Sequence, residues 1–307
     1  MIRRLSLCLR GVSFQLAWPV LRKLGGYATF CLLVCLFACQ NSAGETKRLT
    51  TDGRIKTSPV FMNSDELVYV DFEKPEQTML KVLKLSDGSI QRFHPKATTQ
   101  ELEPAFSPDG RHCVFLKATG TFSVTLVIRD EQANKDFEIP PGGGFCGFRS
   151  PAFSPDGKRV VYSFADNGFQ DLYSVNAEAK DRQQLTKNSG MNYYSRDGKR
   201  ILFGSTRHGN YELYSMNADA TDVVRLTDNP FQDVRPQFSP DGQRIAFTSN
   251  RDQNFEIYMM HADGSNVRRV TEHPERDDYA VWHPNGKRLI VVAERDGRHD
   301  LYSIPVE

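Results

Sequence analysis

Carboxylates recur along the chain in two settings, and each could supply a general acid or base. In the first, an aspartate stands third in a Ser-Pro-Asp-Gly turn or its Ser-Arg-Asp-Gly variant, as at Asp109, Asp156, Asp197 and Asp241. In the second, an acid precedes Leu-Tyr or Ile-Tyr, as at Asp171, Glu212, Glu256 and Asp300. Acid–base catalysis needs its groups within hydrogen-bond reach of one substrate, whereas these recur at intervals of about 44 residues. We therefore expect them to build the same local structure in successive repeats.

Other patterns typical of catalytic or metal sites are missing from the sequence. The seven histidines fall singly, without the close spacing of a zinc site. No Gly-x-Ser-x-Gly motif is present, and the glycine-rich stretch at 140–148 lacks the lysine of a phosphate-binding loop. The sequence thus predicts no catalytic residue, no metal and no cofactor. The formal charge of +1 gives no electrostatic reason to expect nucleic acid as a partner.

Internal repetition is the strongest pattern in the chain. The Ser-Pro-Asp-Gly turn and weaker copies of it begin at residues 107, 154, 195, 239 and 283, each preceded by an aromatic residue. A sixth, degenerate copy begins at Ser58, with Phe61 in the aromatic slot. Six units of about 44 residues therefore fill the chain from Lys47 to Glu307.

The unit at 234–271 divides into four short strands. RPQFS leads into a Pro-Asp-Gly turn, RIAFTS alternates apolar and polar residues, FEIYMMH follows a polar loop, and NVRRVT follows an Asp-Gly turn. Four strands in 40–45 residues are typical of a propeller blade. The predicted fold is therefore all-β, a six-bladed β-propeller of four-stranded antiparallel blades.

The two ends of the repeat region complement each other. The last unit ends at Glu307 after three strands, and the strand it lacks is of the Arg-Val-Thr type. A copy of that phrase, Lys-Arg-Leu-Thr, stands at 47–50. We predict that it pairs with residues 300–304 and closes the ring, which removes an exposed sheet edge. The alternative is an unattached polar linker. The predicted propeller domain covers residues 47–307.

These repeats resemble those of a known family. Phe-Ser-Pro-Asp-Gly followed by Glu-Ile-Tyr and Arg-Leu-Thr is similar to the β-propeller repeats of TolB, the periplasmic component of the Tol–Pal envelope system. The resemblance covers nearly all of residues 47–307, and it implies a partner in the class of peptidoglycan-associated lipoproteins. TolB has a separate N-terminal α/β domain, which we expect this chain to lack. Similar repeats occur in gating domains of some peptidases and in oligogalacturonate lyases, so the fold alone does not fix the function.

The first 38 residues are interpreted as a targeting signal. Basic residues precede an apolar run at 27–39, which is shorter than the roughly 20 residues of a transmembrane helix. The end of the run, Leu36 to Cys39, resembles a bacterial lipobox, although Phe37 is bulkier than usual at its position. We expect cleavage before Cys39 and lipidation of that cysteine, with residues 39–46 as a polar tether. An ordinary signal peptide or a short membrane anchor is the alternative.

This interpretation predicts a lipid-anchored protein on the periplasmic side of a bacterial envelope. Gln40 stands where an aspartate would resemble an inner-membrane retention signal, so the outer membrane is favoured over the inner one.

In an antiparallel meander, the loops between strands two and three share one face with the loops that join blades. We call this the rim face. Arginines begin three of its loops, and two interpretations stay open: they hydrogen-bond neighbouring loops, or they bind a partner around the channel mouth. The candidate partner-binding residues are Arg207, His208, Phe231, Asp233, Arg251, Asp252, Asp278 and Arg295.

The sequence thus favours a protein–protein interaction scaffold rather than an enzyme. The rival is a carbohydrate-binding or lyase-like propeller enzyme with a site at the channel mouth. Clustered titratable side chains with shifted pKa values there would favour that rival. A passive structural lipoprotein is a third hypothesis.

Two cysteines remain for the propeller once Cys39 is lipidated. An oxidising compartment permits a disulfide between Cys113 and Cys146. However, Cys113 occupies the slot held by Val160 and Ile245 in other repeats, which is a buried packing position, and Cys146 lies in a loop. A disulfide and two separate thiols both stay open.

Overall fold

The computed structural model describes residues 45–74, 77–120, 123–141, 147–166, 169–187, 194–196 and 200–306, with the backbone of 5–9 and 12–16. Two units are distinguished, residues 1–45 with 307 and residues 46–306. In the first, β1 (Leu5–Leu9) and β2 (Val12–Leu16) form a two-stranded antiparallel sheet. Cys39, and most of the predicted signal and tether, lie outside the described residues. No helix among the described residues is long and apolar enough to cross a membrane.

The second unit begins with the short strand β3 (Lys47–Arg48) and continues through four-stranded antiparallel sheets. Blade 1 contains β4 (Lys56–Phe61), β5 (Glu66–Lys74), β6 (Gln77–Lys84) and β7 (Ile90–Arg92). Blade 2 contains β8 (Gln100–Phe106), β9 (His112–Gly120), β10 (Ser123–Asp130) and β11 (Lys135–Ile139). Blade 3 contains β12 (Phe148–Phe153), β13 (Arg159–Asp166), β14 (Phe169–Asn176) and β15 (Gln183–Gln184).

The remaining three blades have the same strand order. Blade 4 contains β16 (Tyr194–Arg196), β17 (Arg200–Ser205), β18 (Glu212–Asn217) and β19 (Val224–Arg225). Blade 5 contains β20 (Asp233–Phe238), β21 (Arg244–Ser249), β22 (Glu256–His261) and β23 (Arg268–Arg269). Blade 6 contains β24 (Asp277–Trp282), β25 (Arg288–Arg295), β26 (Arg298–Pro305) and the early strand β3. The predicted six-bladed all-β propeller is confirmed.

Closure of the ring by the N-terminal strand is also confirmed. β3 pairs antiparallel with β26, with Arg48 opposite Tyr302. The amide of Leu49 donates to the carbonyl of Leu301 at 2.7 Å, which extends the ladder by one bond. Asp300 accepts hydrogen bonds from Arg48 at 2.5 Å and from Thr50 at 2.7 Å. Strand and side-chain contacts therefore join residues about 250 positions apart.

Each interface between neighbouring blades holds a hydrophobic cluster, and six such clusters are found in the described part of the chain. Alternate side chains of one strand supply two clusters, since a strand presents successive residues to opposite faces. In β25, Leu289 and Val291 pack towards blade 5, whereas Ile290 and Val292 pack towards blade 1. A blade is therefore apolar on both faces and depends on its neighbours for burial.

The recurrent turn aspartates are structural, as the repeat predicts. In blade 5, Ser239 donates to Asp241 at 2.5 Å, and Asp241 accepts the amide of Gln243 at 3.1 Å. Asp109 and Asp156 make the same two kinds of contact in their own turns. The serine hydrogen bond lowers the pKa of each of these three carboxyls. Asp197 lies outside the described residues.

The acids that begin the third strands join that strand to the end of the fourth. Buried Glu256 accepts hydrogen bonds from Arg269 at 3.0 Å, from the hydroxyl of Thr271, and from the amide of His273 at 2.8 Å. The same hydroxyl accepts the amide of Ile257 at 2.9 Å. We call this arrangement the strand clasp. It recurs with an acid–threonine pair in three other blades, at Asp171–Thr186, Glu212–Thr227 and Asp300–Thr50.

Candidate interaction face and central channel

The arginines that follow the second strands are fixed on the rim face by carboxylates and rings. Arg251 binds both carboxylate oxygens of Asp233 at 3.0 Å, and its guanidinium lies 4.6 Å from the ring centre of Tyr258. Arg295 binds Asp277 at 2.7 and 3.1 Å. These pairs recur between blades and hold the loop after strand two against the start of strand one.

Two of the candidate acids are buried and pair with arginines. Asp233 is fully buried beneath Arg251. Asp278 is 2% exposed and binds Arg276 at 2.5 Å and Arg235 at 3.2 Å. Neither carboxylate reaches the surface, so each could act on a partner only through the arginine that it orients.

Four other candidates are exposed on the rim face. Arg207 lies over the rings of Phe203 and Tyr214, and His208 makes a 2.6 Å hydrogen bond with the hydroxyl of Tyr214. Asp252 accepts a hydrogen bond from the hydroxyl of Tyr258 and forms an ion pair with Arg269 at 3.3 Å. The fourth is Phe231, described next.

Phe231 is an exposed aromatic on a rigid loop. Its side chain is 41% exposed. The backbone beneath it is fixed on both sides, because its amide donates to Asn229 at 2.9 Å and its carbonyl accepts Asn210 at 2.5 Å. Ile55, 49% exposed in the loop that joins β3 to β4, is a second apolar residue on this face. Sequence reasoning missed Ile55 because its unit departs most from the repeat.

The first strands of the blades line a central cavity of about 510 Å³. Five of them contain a β-bulge whose residue has positive φ, between 47° and 53°, at Ser58, Glu103, Ser150, Arg235 and Tyr279. We call these five residues the channel ring. Each stands three positions before the aromatic slot. The equivalent position in blade 4, residue 191, lies outside the described residues.

The charged members of the channel lie close enough to influence one another. Burial raises the pKa of Glu103, against the opposing effects of a hydrogen bond from the Ser150 amide and the charges of Arg149 and Arg235. Arg235 stacks 4.2 Å from the ring centre of Tyr279. The candidate residues predicted from the sequence did not include these channel residues. One sequence pattern could have identified them: the residue type three positions before the aromatic slot differs from repeat to repeat, whereas the turn that follows is regular.

The described residues contain a buried free cysteine and no cluster of metal-binding side chains. Cys113 is fully buried as a free thiol in the packing slot that the repeat predicts, and burial raises its pKa. Cys146, its alternative disulfide partner, lies outside that part of the chain. Across the same part, no three His, Cys, Asp or Glu side chains gather in an arrangement that could hold a metal ion.

Comparison with solved structures places the fold among known propellers. TolB from Acinetobacter baumannii is 22% identical, with a TM-score of 0.62 over 82% of this chain and 66% of that chain. A putative TolB from Agrobacterium tumefaciens is 24% identical, with a TM-score of 0.56 over 67% and 73%. An oligogalacturonate lyase in complex with manganese is 12% identical, with a TM-score of 0.60 over 87% and 94%. At these identities the likeness shows the fold alone.

Sequence families give a more specific relationship. No curated protein matches the chain. The Tricorn protease N-terminal beta propeller domain matches residues 209–307. The TolB beta propeller domain matches residues 67–236, which is more than half of the chain. With its six blades and its repeated turns and clasps, this chain belongs to the TolB β-propeller domain family.

Proposed function

We propose that this chain is a protein-binding propeller of the bacterial cell envelope, and that its partner docks on the rim face. The observation that carries the proposal is Phe231, a large exposed aromatic held on a hydrogen-bonded loop. Aromatic and arginine side chains dominate the binding energy of protein interfaces. Side chains that are already fixed lose little conformational entropy when they bind.

The rim face combines two kinds of contact. Exposed Arg207, His208, Phe231 and Asp252 would touch the partner directly. Arg251 and Arg295 would offer guanidinium groups whose positions are set from beneath by Asp233 and Asp277. Ile55 would add apolar area. This mixture of charge with few apolar anchors is typical of non-obligate protein interfaces.

The setting that we propose is the periplasmic side of the envelope. Lipidation of Cys39 would anchor the propeller to a membrane, and Gln40 favours the outer one. Because the chain belongs to the TolB propeller family, a peptidoglycan-associated lipoprotein is the partner class that we propose. The proposed role is binding without catalysis.

The test is affinity capture from envelope extracts with the full chain and with Phe231→Ser. We expect the variant to lose at least about tenfold in affinity for the captured lipoprotein, because hot-spot aromatics contribute about 2 kcal/mol or more. Val267→Ser is the matched control, since Val267 is also 41% exposed but precedes the outermost strand of blade 5. Equal loss in both variants, or none in Phe231→Ser, would contradict the proposal.

A further inference from the structure

The residues of the channel ring share a backbone conformation but differ in side chain from blade to blade. Five blades place a residue with positive φ at one equivalent bulge, and such a backbone is strained for a residue other than glycine. Bulges commonly re-aim a side chain next to a functional site. The conformation recurs, yet the residues are two serines, a glutamate, an arginine and a tyrosine. A position that is constant in geometry and variable in chemistry is suited to ligand selection.

The half of the cavity nearer the rim face is polar and cationic. Arg149 is an exposed residue that lines it; its guanidinium donates to the carbonyl of Phe148 at 3.4 Å and forms no ion pair with a carboxylate among the described residues. Arg235 is fixed by Asp278 at 3.2 Å and donates to the hydroxyl of Tyr279 at 3.3 Å. Glu103 is the acid of this half, and burial raises its pKa.

The other half of the cavity is mainly apolar. It is lined by Phe61, Phe106, Phe153, Phe238 and Val281, with Gln237 as a polar neighbour. It continues into a second cavity of about 480 Å³, whose wall includes Trp282 and the prolines of the Ser-Pro-Asp-Gly turns. A ligand lying along the axis would thus meet guanidinium groups at one end and aromatic rings at the other.

We propose that the central channel binds a small carboxylate with an apolar body. Arg149 holds the carboxylate, with Arg235 and the channel serines as further donors, and the aromatic half receives the body. The volume suits a molecule of this size, since ligand pockets usually measure about 300–1,000 Å³. Arginine is suited to the head group because its planar donors bind a carboxylate in two places. Arg149 and the residues of the channel ring are not among the exposed rim residues that would touch a protein partner, so binding of the small ligand can be tested whether or not a partner docks on the rim face.

The experiment is calorimetric titration of the full chain with 4-phenylbutyrate and with its neutral amide. We expect the acid to bind and the amide to bind at least about tenfold more weakly, because the neutral amide cannot form charge-assisted hydrogen bonds with the guanidinium groups. Arg149→Gln should weaken binding of the acid by a similar factor. Glu103→Gln should strengthen it several-fold, because it removes a like charge and keeps an acceptor for the Ser150 amide.

The opposite signs of these two variants distinguish a binding site from general damage to the fold. Arg268→Gln, the same change on the exposed outermost strand of blade 5, is the control and should leave binding unchanged. The proposal would be overturned by absence of binding at millimolar acid, by equal binding of acid and amide, or by an unchanged affinity in Arg149→Gln. Loss of affinity in Glu103→Gln would also count against it.

Discussion

In four blades, a buried charged side chain stands at the start of the first strand or one residue after it, and each contacts a basic or acidic partner. The positions are Lys56, Glu101, Asp233 and Asp277. Lys56 lies 3.5 Å from Asp300, and Glu101 lies 2.8 Å from His94. The sign of the charge changes between blades, but the pairing does not, because an unpaired charge at this depth would cost several kcal/mol. Pairing, rather than residue type, is what these positions require.

His94 makes one of these pairs sensitive to pH. Burial lowers its pKa, but hydrogen bonds to Glu101 and Glu131 outweigh that effect and raise the pKa above the ordinary value. The unfolded chain has a histidine pKa of about 6.5. A raised folded-state pKa means that the pair stabilises the protein fully below that value and loses its contribution as pH rises through the folded-state pKa.

We therefore predict that His94→Gln removes the part of the stability that the wild type loses as pH rises above about 6.5. The measurement is the free energy of unfolding in urea at several pH values. His261→Gln, with an exposed side chain, is the control and should keep the wild-type pH profile. Parallel profiles for wild type and His94→Gln would show that the pair does not titrate in this range.

At the level of the element, the turn between strands one and two has the same glycine conformation in four blades. Its glycines have φ of 68° at Gly110, 69° at Gly157, 69° at Gly242 and 70° at Gly286. The serine hydroxyl of the turn donates to the aspartate, and the aspartate accepts the backbone amide that follows the glycine. Strand length is less regular, since fourth strands contain from two to five residues. Turn chemistry thus fixes where each blade reverses, while packing decides how far its outer strand extends.

Gly110→Ala should destabilise the protein by about 1 kcal/mol, because alanine pays for positive φ that glycine adopts freely. No described atom lies within 4 Å of the added methyl group, so the effect would come from the backbone alone. Gly120→Ala is the matched control: its surroundings are equally open and its φ is not in the positive range. That control should be neutral or stabilising by up to about 1 kcal/mol. Equal urea midpoints for the two variants would refute the argument.

For the whole molecule, closure of the ring depends on a segment of four residues. Leu49 packs against the cluster between blades 6 and 1, while Arg48 and Thr50 bind Asp300. Without this segment, the exposed edge of β26 would invite association with another chain.

We predict that Leu49→Asp lowers the free energy of unfolding by about 2 kcal/mol or more, because it removes a buried apolar side chain and places a carboxylate in the cluster. Leu226→Asp makes the same change at the equivalent position of blade 4, where the fourth strand is continuous with its own blade. Limited proteolysis should cut near residues 45–55 in Leu49→Asp and not in Leu226→Asp. Protection of that segment in both variants would show that closure does not depend on Leu49.

Much of this architecture could be predicted from the sequence, because the regular repeats show where the equivalent residues of an irregular repeat lie. Phe61 was placed in its slot although its turn departs from the motif, and Cys113 was placed in the core by comparison with Val160. The candidate site was harder to predict. Burial of Asp233 and Asp278 depends on long-range pairing with arginines, and the channel residues come together only when six blades meet at one axis. The residues of the channel ring also differ in identity from blade to blade, so the repeat gives them no common sequence pattern.

The pairing of β3 with β26 has a consequence for the order of events during synthesis. The ribosome makes Arg48 first and its partner Asp300 252 residues later. At about 5–20 residues per second, the early strand waits roughly 10–50 s for the sheet that it completes. Five blades could be assembled in that interval while the circle stays open. Joining its two ends is then a single late event, and any factor that shields the waiting segment would set the yield of finished protein.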